Sequence, residues 1–466
     1  MPARLIDSLA TTGPLAELFS DDSLLQAMLD FEAALAGAEA GLGIIPPAAA
    51  EAIRKAARAE GFDTAELARE SLRAGTLSIP LVKLLTARVR AADTAAAAGF
   101  VHWGATSQDV ADTALILLLS RARGILAADL ARLEESLRKL SGEHEHSAML
   151  GRTLLQAAPP VTFGLKAAGW FGAVRRSRLR LEAAFAEALV LQFGGASGTL
   201  AALGSQGLQV GRAMAKELGL GLPDAPWHTH RDRLATVVAA CGVLTGSLGK
   251  MARDISLLMQ SEVAEVSEPG GEGRGGSSTM PQKRNPTASA LTLAAANRVP
   301  GLVAAFLSGM VQEHERGVGG WQAEWPTVAG VIQATGVAAA SMAEAAAGLG
   351  VDPARMRANI AATRGTVFSE RAMMLLGKAL GRDAAHKLLE EAARKSAAQK
   401  RALSEVLGEM PEVTRVIDRE AIANLDTPED YLGVANELRV RRLTPSPQQG
   451  DPSPRASSGN KNTKEQ

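Results

Sequence analysis

The feature that most constrains the fold is a series of long stretches rich in Ala, Leu and Val. They cover residues 109–149, 161–191, 233–265, 288–311 and 327–349. Hydrophobic residues make up 46% of the 466 residues but aromatic residues only 3%, so most apolar side chains are aliphatic or small. Ala is the strongest helix former, and small side chains let helices pack closely. We therefore predict an all-α protein with a central bundle of long helices.

Changes in composition divide this helical chain into three domains and a tail. Residues 1–105 are predicted to form an N-terminal helical domain, 106–348 the central bundle, and 349–443 a smaller, more charged C-terminal helical domain. Residues 444–466 are mostly Pro, Ser, Gln, Asn and Lys. A segment with so few apolar side chains cannot bury enough surface to fold, so we predict a disordered tail.

Charge and cysteine content exclude several classes of function. Lys plus Arg and Asp plus Glu both number 50, so no net charge draws the chain to nucleic acid or to an anionic membrane. One cysteine and seven histidines offer no obvious metal site, and no metal or organic cofactor is expected. The N-terminus has no apolar signal core, and no uninterrupted apolar run reaches membrane-spanning length. We expect a cytoplasmic protein.

A glycine-rich segment is the first candidate functional site. Residues 270–286 read GGEGRGGSSTMPQKRNP, where the glycines allow backbone conformations that other residues avoid. Asn285 before Pro286 is a favourable helix start, with Asn as N-cap and Pro in the first turn. Helix N-termini attract anions. A flexible surface loop is the alternative, but Lys283 and two serines beside a capped helix favour chemistry on a carboxylate substrate.

A second candidate site lies at residues 102–109, which read HWGATSQD. Thr106 and Asp109 fit a capping box that starts the following helix. That structural role is compatible with function, because a helix start with two hydroxyls and a nearby His also suits a carboxylate. We therefore expect His102, Thr106 and Ser107 to contribute to a substrate site.

Three motifs resemble sequence regions of the fumarase/aspartase superfamily. GSSTMPQKRNP at 276–286 resembles its GSSxMPxKxNP signature, residues 102–109 resemble its first region, HxGxTSxD, and GRTLLQ at 151–156 resembles its second region. The resemblance extends from about residue 18 to residue 442. It implies an enzyme that forms or breaks a C–O or C–N bond beside a carboxylate. It also implies helical bundles that assemble into a homotetramer.

The resemblance implies roles for individual residues. Ser277 exchanges the α-proton of the substrate, and Lys283 and His102 complete the catalytic set. Arg316 lies in a polar–aromatic turn and is a candidate carboxylate ligand. His230 lies where relatives place a polar contact, although a helix-capping segment explains it almost as well. The implied substrate-binding residues are Thr106, Ser107, Thr153, Gln156, His230, Ser278, Asn285 and Arg316.

At one position the residue differs from that of most superfamily members, and this difference restricts the kinds of reaction that the chain is expected to catalyse. Fumarases, argininosuccinate lyases and adenylosuccinate lyases have His where this chain has Leu154. That His is associated with protonating the leaving group, which strongly basic amines and hydroxide need. A carboxylate, with a pKa of roughly 4, leaves or adds without a proton. Leu at this position is therefore tolerable if the leaving group or nucleophile is a carboxylate.

At this position the chain resembles the 3-carboxy-cis,cis-muconate cycloisomerase branch of the superfamily, in which the residue is also not His. We therefore expect an enzyme that closes this tricarboxylate to 4-carboxymuconolactone in protocatechuate catabolism. An adenylosuccinate or argininosuccinate lyase is an alternative, against which Leu154 counts. A non-catalytic helical assembly protein is another, against which Ser277, Lys283 and Asn285 count.

The order of the motifs along the chain predicts active sites shared between subunits. The motifs around Thr106, Thr153 and Ser277 lie at the ends of long helices. A helix of about 30 residues spans about 45 Å, so motifs at opposite ends cannot meet within one chain. Bundles packed side by side in a tetramer of closed symmetry would bring different ends together.

Overall fold

The computed structural model describes residues 5–92, 95–271, 275–276, 279–280 and 282–444. The chain divides into two compact units, each discontinuous in sequence: unit 1 is Met1–Ser136 with Ala173–Val351, and unit 2 is Leu137–Gly172 with Asp352–Gln466. The three-domain division stays a prediction. Apart from Thr444, its disordered tail lies outside the described residues.

Nearly all regular structure is helical, which confirms the all-α prediction. The helices up to residue 218 are α1 (Gly13–Leu18), α2 (Asp21–Gly41), α3 (Pro47–Ala56), α4 (Thr64–Ala74), α5 (Ser78–Ala92), α6 (Ala95–Ala98), α7 (Ser107–Glu143), α8 (Phe163–Ala188) and α9 (Gly207–Leu218). The later helices are α10 (Asp232–Leu258), α11 (Thr287–Ser308), α12 (Gly320–Ala347), α13 (Pro353–Ala362), α14 (Ser369–Leu380), α15 (Arg382–Gln399), α16 (Leu403–Gly408), α17 (Pro411–Thr414), α18 (Arg419–Ala423) and α19 (Ala435–Leu443). Short 3₁₀ segments lie at Leu5–Asp7, Ala201–Gln206, Thr366–Phe368 and Pro428–Tyr431. The strands form two antiparallel pairs, β1 (Ala148–Thr153) with β2 (Gln156–Thr162) and β3 (Val266–Ser267) with β4 (Gly350–Val351).

The centre of unit 1 is the packing of α10, α11 and α12 against one another. Aliphatic and small side chains fill this core, and Leu248, Val331 and Ala338 are completely buried. A Cβ added at Gly249 of α10 would lie only 2.7 Å from the Cβ of Ala296 on α11. Interiors are close-packed, so small residues at such points set how closely the helices approach. Close packing of this kind agrees with the many small and aliphatic residues in the sequence.

The same three helices are long and apolar enough to cross a membrane by length and composition alone, which corrects the expectation from the sequence. Their most apolar windows have mean hydropathies of 1.5, 1.5 and 1.2 in chain order. In α10 and α12 most of that window, 61% and 72%, is buried inside the fold, whereas in α11 only 22% is buried. Helix α11 therefore presents an apolar surface that the described part of the chain leaves largely uncovered.

A buried ion cluster ties α7, α10 and α12 together. Arg231, immediately before α10, donates to Asp112 of α7 at 2.7 and 3.0 Å and to Glu324 of α12 at 2.6 to 3.1 Å. All three side chains are at most 1% exposed. Burial alone would lower the pKa of Arg231, but the charges of Asp112 and Glu324 outweigh it and raise that pKa. The indole Nε1 of Trp321 also donates to Asp112, at 3.0 Å.

Unit 2 consists of shorter helices around a core of its own. Its buried apolar side chains include Phe368, Leu376, Leu403 and Val413. Strand β1 lies against α13 and contributes Leu150 to this core. The hairpin is therefore anchored at its base by apolar packing within unit 2.

The β1–β2 hairpin is the main departure from the predicted secondary structure. The composition predicts a helical stretch that continues through Ala148, where the structure begins a strand. The two strands are joined by Leu154 and Leu155, whose φ angles are 49° and 64°. Two central residues with positive φ form the turn that suits a twisted hairpin, and this turn is normally Asn-Gly. Because two leucines carry no such signal, the sequence pattern did not reveal the hairpin.

We predict that Arg231→Met destabilises the fold by about 3–5 kcal/mol, because it leaves two carboxylates buried without their cation. The matched control is Arg233→Met, since Arg233 pairs with Asp224, which is 86% exposed. The control is expected to unfold at nearly the same urea concentration as the parent protein. Circular dichroism in urea, at matched protein concentrations, measures both midpoints. Equal midpoints for the two variants would contradict a structural role for the cluster.

Candidate active site

The carboxylate of Asp109, near the start of α7, connects three segments of unit 1. It is completely buried. Its four hydrogen-bonding partners are the backbone N–H groups of Thr106 at 3.1 Å, Gly194 at 3.0 Å and Gly195 at 2.9 Å, and Nε2 of His228 at 2.7 Å. A buried carboxylate must be compensated in this way or it would cost several kcal/mol. Asp109 therefore fixes the start of α7 against two loops distant in sequence.

The predicted capping box is only part of what Asp109 does. Its bond to the Thr106 N–H is the expected cap, and α7 begins at the next residue, Ser107. Thr106 and Ser107 are half-buried. The first N–H groups of a helix lack intrahelical partners and carry partial positive charge. The binding of a substrate carboxylate at the start of α7 stays a prediction.

Hydrogen bonds and close packing hold the two loops beside α7. Gln108 Nε2 donates to the carbonyl of His228 at 2.7 Å, and the N–H of Trp227 donates to Gln192 Oε1 at 3.0 Å. A Cβ at Gly195 would lie 2.9 Å from the carbonyl oxygen of Gly104. Gly195 also has a φ of 67°, so both the space and the backbone conformation require glycine.

His102 is paired with a buried carboxylate that the sequence analysis did not consider. Its Nδ1 lies 2.7 Å from Oε1 of Glu32 on α2. Burial lowers the pKa of His102, but the charge and hydrogen bond of Glu32, with a further contribution from Asp109, raise it above its ordinary value. The predicted catalytic His is therefore held as a cation over a wider pH range than a free imidazole.

His230 is exposed, whereas the neighbouring His228 is buried against Asp109. The sequence motif predicts a role for His230 and gives no indication of one for His228. The bond between His228 and Asp109 joins residues 119 positions apart, so no local pattern indicates it. Thr229, between them, donates its hydroxyl to the carbonyl of His314 at 2.9 Å.

Arg316 approaches the same region from the segment between α11 and α12. Its Nη2 donates to the carbonyls of Gly195 at 3.0 Å and Ala196 at 3.2 Å. A guanidinium has five N–H donors, so two carbonyl contacts at one nitrogen leave it able to bind a carboxylate as well. The predicted polar–aromatic turn is shorter than expected, because Trp321 and Trp325 lie on α12.

The signature loop is described only in part, and Ser277 and Ser278 lie outside the described residues. On either side of them, the N–H of Asn285 donates to the carbonyl of Gly275 at 2.8 Å. The Asn285 side chain donates to the Gly276 carbonyl at 3.4 Å. Lys283 is exposed, and its N–H donates to the Met280 carbonyl at 3.0 Å. Asn285 is therefore hydrogen-bonded to both Gly275 and Gly276, the two described residues that precede the predicted site serines.

The predicted start of the helix after this loop is wrong. Helix α11 begins at Thr287 with Pro286 as N-cap, so Asn285 is not the cap. Both oxygens of the buried Glu268 accept the free N–H groups at this end, from Ala288 and Ser289, each at 2.8 Å. A carboxylate satisfies a helix N-terminus and its dipole. The N-terminus of α11 is thus already occupied by an anion from the chain itself.

Thr153 and Gln156 belong to unit 2, where they form the last cross-strand pair of the β1–β2 hairpin. Both are exposed. The turn between them is formed by Leu154 and Leu155, which are 96% and 78% exposed. The motif of the second superfamily region thus forms the tip of a hairpin with two exposed apolar side chains.

The structure therefore brings the residues of unit 1 into one neighbourhood around Asp109. The segments that meet there contain His102, Thr106, Ser107, His228 and Arg316. Among the described residues, no group of three or more His, Cys, Asp or Glu side chains is placed to hold a metal ion. The arrangement is suited to binding a multiply charged anion through a helix N-terminus and cationic side chains.

Two family models match the chain. A model described as "Lyase" matches residues 9–301, and one described as "Adenylosuccinate lyase C-terminus" matches residues 365–441. The chain is 49% identical to a 3-carboxy-cis,cis-muconate cycloisomerase from Bradyrhizobium diazoefficiens, over 95% of this chain and 98% of the relative. It is 42% identical to a nitrosuccinate lyase from Streptomyces davaonensis, over 92% of each chain.

Solved structures agree with these relatives. The 3-carboxy-cis,cis-muconate lactonizing enzyme from Pseudomonas putida superposes with a TM-score of 0.89 at 45% identity, covering 94% of this chain and 98% of that one. A fumarate lyase from Mesorhizobium superposes with a TM-score of 0.84 at 37% identity, covering 93% and 98%. Together with the sequence motifs, these matches show that the chain belongs to the fumarase/aspartase superfamily of lyases.

Proposed function

We propose that this enzyme converts 3-carboxy-cis,cis-muconate to 4-carboxymuconolactone. The observation that carries the proposal is the near-full-length similarity, at 46–49% identity, to three relatives that bear the name of this cycloisomerase. The substrate is a tricarboxylate, which matches the anion-binding character of the neighbourhood around Asp109. The reaction needs no metal or organic cofactor.

The absence of an acidic group at Leu154 also favours this reaction. In lactone formation the nucleophile is an ionised carboxylate, whose pKa of roughly 4 means that no proton must be moved at this position. A lyase that expels an amine would benefit from a general acid there. A leucine side chain supplies no proton at the hairpin tip.

The proposed mechanism adds one substrate carboxylate across a conjugated double bond. A carboxylate oxygen forms the new C–O bond, and the π electrons move to the carbon beside another carboxylate, giving an enolate-like dianion. Ser277 then donates its proton to that α-carbon and recovers one from solvent. Serine has too high a pKa to do this unaided. Lys283 and Asn285 would stabilise both the serine oxyanion and the dianion.

Binding of the substrate carboxylates falls to the remaining residues. We assign one carboxylate to the start of α7, with Thr106 and Ser107, and to the imidazolium of His102. We assign a second carboxylate to Arg316, which also donates to the Gly195 carbonyl. Ser278, His230, Thr153 and Gln156 complete the proposed substrate-binding set.

We propose further that the enzyme is a cytoplasmic homotetramer with shared active sites. Two apolar surfaces support the assembly: the largely unburied α11 and the tip of the hairpin, where Leu154 is 96% exposed. Apolar surface of this kind is typical of an interface. In such an assembly Thr153 would come from a different subunit than Ser277.

The direct test of the proposed reaction is the ultraviolet absorbance of 3-carboxymuconate incubated with the purified enzyme. We expect the absorbance to fall as the conjugated diene is consumed, with the lactone as the product by NMR. Ser277→Ala should slow the fall in absorbance by a factor of about 10²–10⁴ while leaving the circular dichroism spectrum unchanged. Nitrosuccinate is the contrasting substrate, because one relative of the chain is named nitrosuccinate lyase. Turnover of nitrosuccinate with no loss of the muconate absorbance would overturn the proposal.

If each active site is shared between subunits, two variants that are inactive alone should restore activity when they are combined. Ser277→Ala and Thr153→Ala tetramers are mixed, dissociated mildly and re-formed. At random mixing about a quarter of the sites would carry neither lesion, so activity should reappear at about that fraction of the parent value. The matched control mixes Ser277→Ala with Lys283→Ala, two lesions in one loop, and should stay inactive. If subunit exchange is confirmed by mass and no activity returns, each site lies within one chain.

A further inference from the structure

The middle of α2 carries a carboxylate with an unusual environment. Glu32 is only 1% exposed, and its Oε1 lies 2.7 Å from Nδ1 of His102. Its other oxygen, Oε2, has no hydrogen-bond partner among the described residues. A buried carboxylate with one unused oxygen is costly, so its single contact with His102 carries most of its compensation.

The backbone at His102 also depends on its surroundings. Its φ is 61°, a left-handed conformation that non-glycine residues rarely adopt. Such conformations persist where neighbouring structure holds them, and they concentrate at functional sites. Here the ring is fixed by Glu32, and the chain two residues later is fixed by the packing of Leu203 against Gly104.

Two other charged side chains near His102's partner helix α2 have ion-pair partners of their own. Asp30 of α2 binds Arg121 of α7 at 3.3 Å, and Arg54 of α3 binds Glu217 of α9 at 2.6 Å. Asp109, the second carboxylate that acts on His102, is itself saturated by four hydrogen-bonding partners. Glu32 is the carboxylate in direct contact with His102, and its charge and hydrogen bond contribute more than Asp109 to raising the pKa of His102.

We infer that Glu32 is a positioning residue for catalysis, which holds His102 as an imidazolium with its Nδ1–H engaged and its Nε2–H available for a substrate carboxylate. This inference rests on the proposed function, in which His102 binds one of the three carboxylates. It adds a residue outside the three superfamily motifs. Glu32 acts through His102 and does not itself contact substrate.

The direction of the pH effect follows from this pairing. Because Glu32 raises the pKa of His102, the stabilisation from the charged pair is present at low pH. It is lost as the pH rises through that raised pKa. Binding of a substrate carboxylate by His102 should weaken over the same range.

Helix α2 also offers a matched control in Glu39, about two turns further along. Glu39 is completely buried, and neither of its oxygens has a partner among the described residues. Burial, reinforced by repulsion from Glu32, raises the pKa of Glu39 to about 8. Glu39 is therefore mostly uncharged at neutral pH, and Glu39→Gln should change little.

The first test measures the titration of His102 directly, without substrate. Hydrogen–deuterium exchange at the imidazole C2 position, read by mass spectrometry across pH, gives the pKa of each histidine in the full tetramer. We expect the pKa of His102 to lie above 6.5 in the parent protein. It should fall below 6.5 in Glu32→Gln, where burial is no longer opposed by that charge, and stay unchanged in Glu39→Gln. A parent value at or below 6.5 would overturn the inference even if Glu32→Gln fails to fold.

The second test asks whether Glu32 acts through His102. Glu32→Gln should lower kcat/KM at pH 8 by about tenfold for each unit of pKa that His102 loses, and much less at pH 6. In a His102→Gln background the same substitution should cost nothing further. Equal losses at both pH values, or additive losses in the double variant, would show a merely structural role.

The two tests separate the possible failures. The exchange experiment needs no reaction, so it stands even if the enzyme acts on another substrate. If the His102 titration behaves as expected but no muconate is consumed, the proposed function fails and the pairing survives. If muconate is consumed and Glu32→Gln leaves the His102 titration unchanged, the inference fails alone.

Discussion

The site region depends on one buried carboxylate, Asp109. Removing a charge from water is expensive, and Asp109 is compensated only because four donors converge on it. Those donors come from the start of α7, from the loop at Gly194–Gly195 and from His228. Because the buried carboxylate of Asp109 needs these donors, it holds three segments in a single arrangement. The proposed substrate-binding groups of unit 1 lie on or beside those segments.

The same principle recurs at two other places in unit 1. Arg231 is compensated by two carboxylates from different helices, and Glu268 is compensated by the N-terminus of α11. In each case a buried charge fixes separate elements against one another through hydrogen bonds. An enzyme that relies on placing charges around an anionic transition state needs this rigidity, because preorganised donors cost no rearrangement during reaction.

Long helices, the superfamily and the residues of its three motifs could be predicted from the sequence, because helical composition and an eleven-residue signature are local signals. The features that were missed depend on distant partners. The carboxylate that accepts the first N–H groups of α11 belongs to Glu268, twenty residues before Ala288, and the partner of His102 is Glu32, seventy residues away. The hairpin was missed because Leu154 and Leu155 adopt positive φ without the usual Asn or Gly. Local sequence patterns indicate neither hydrogen-bonding partners that are distant in the sequence nor a turn that lacks its usual residues.

Amide hydrogen exchange of Asp109→Asn measures whether Asp109 holds the site loops together. Asn has one acceptor oxygen, so some of the four donors lose their partner, at a cost of about 1–3 kcal/mol each. We predict that exchange at Gly194, Gly195 and Thr106 quickens by about tenfold or more while α12 stays protected. A folded Asp109→Asn protein with unchanged exchange at these three amides would contradict it.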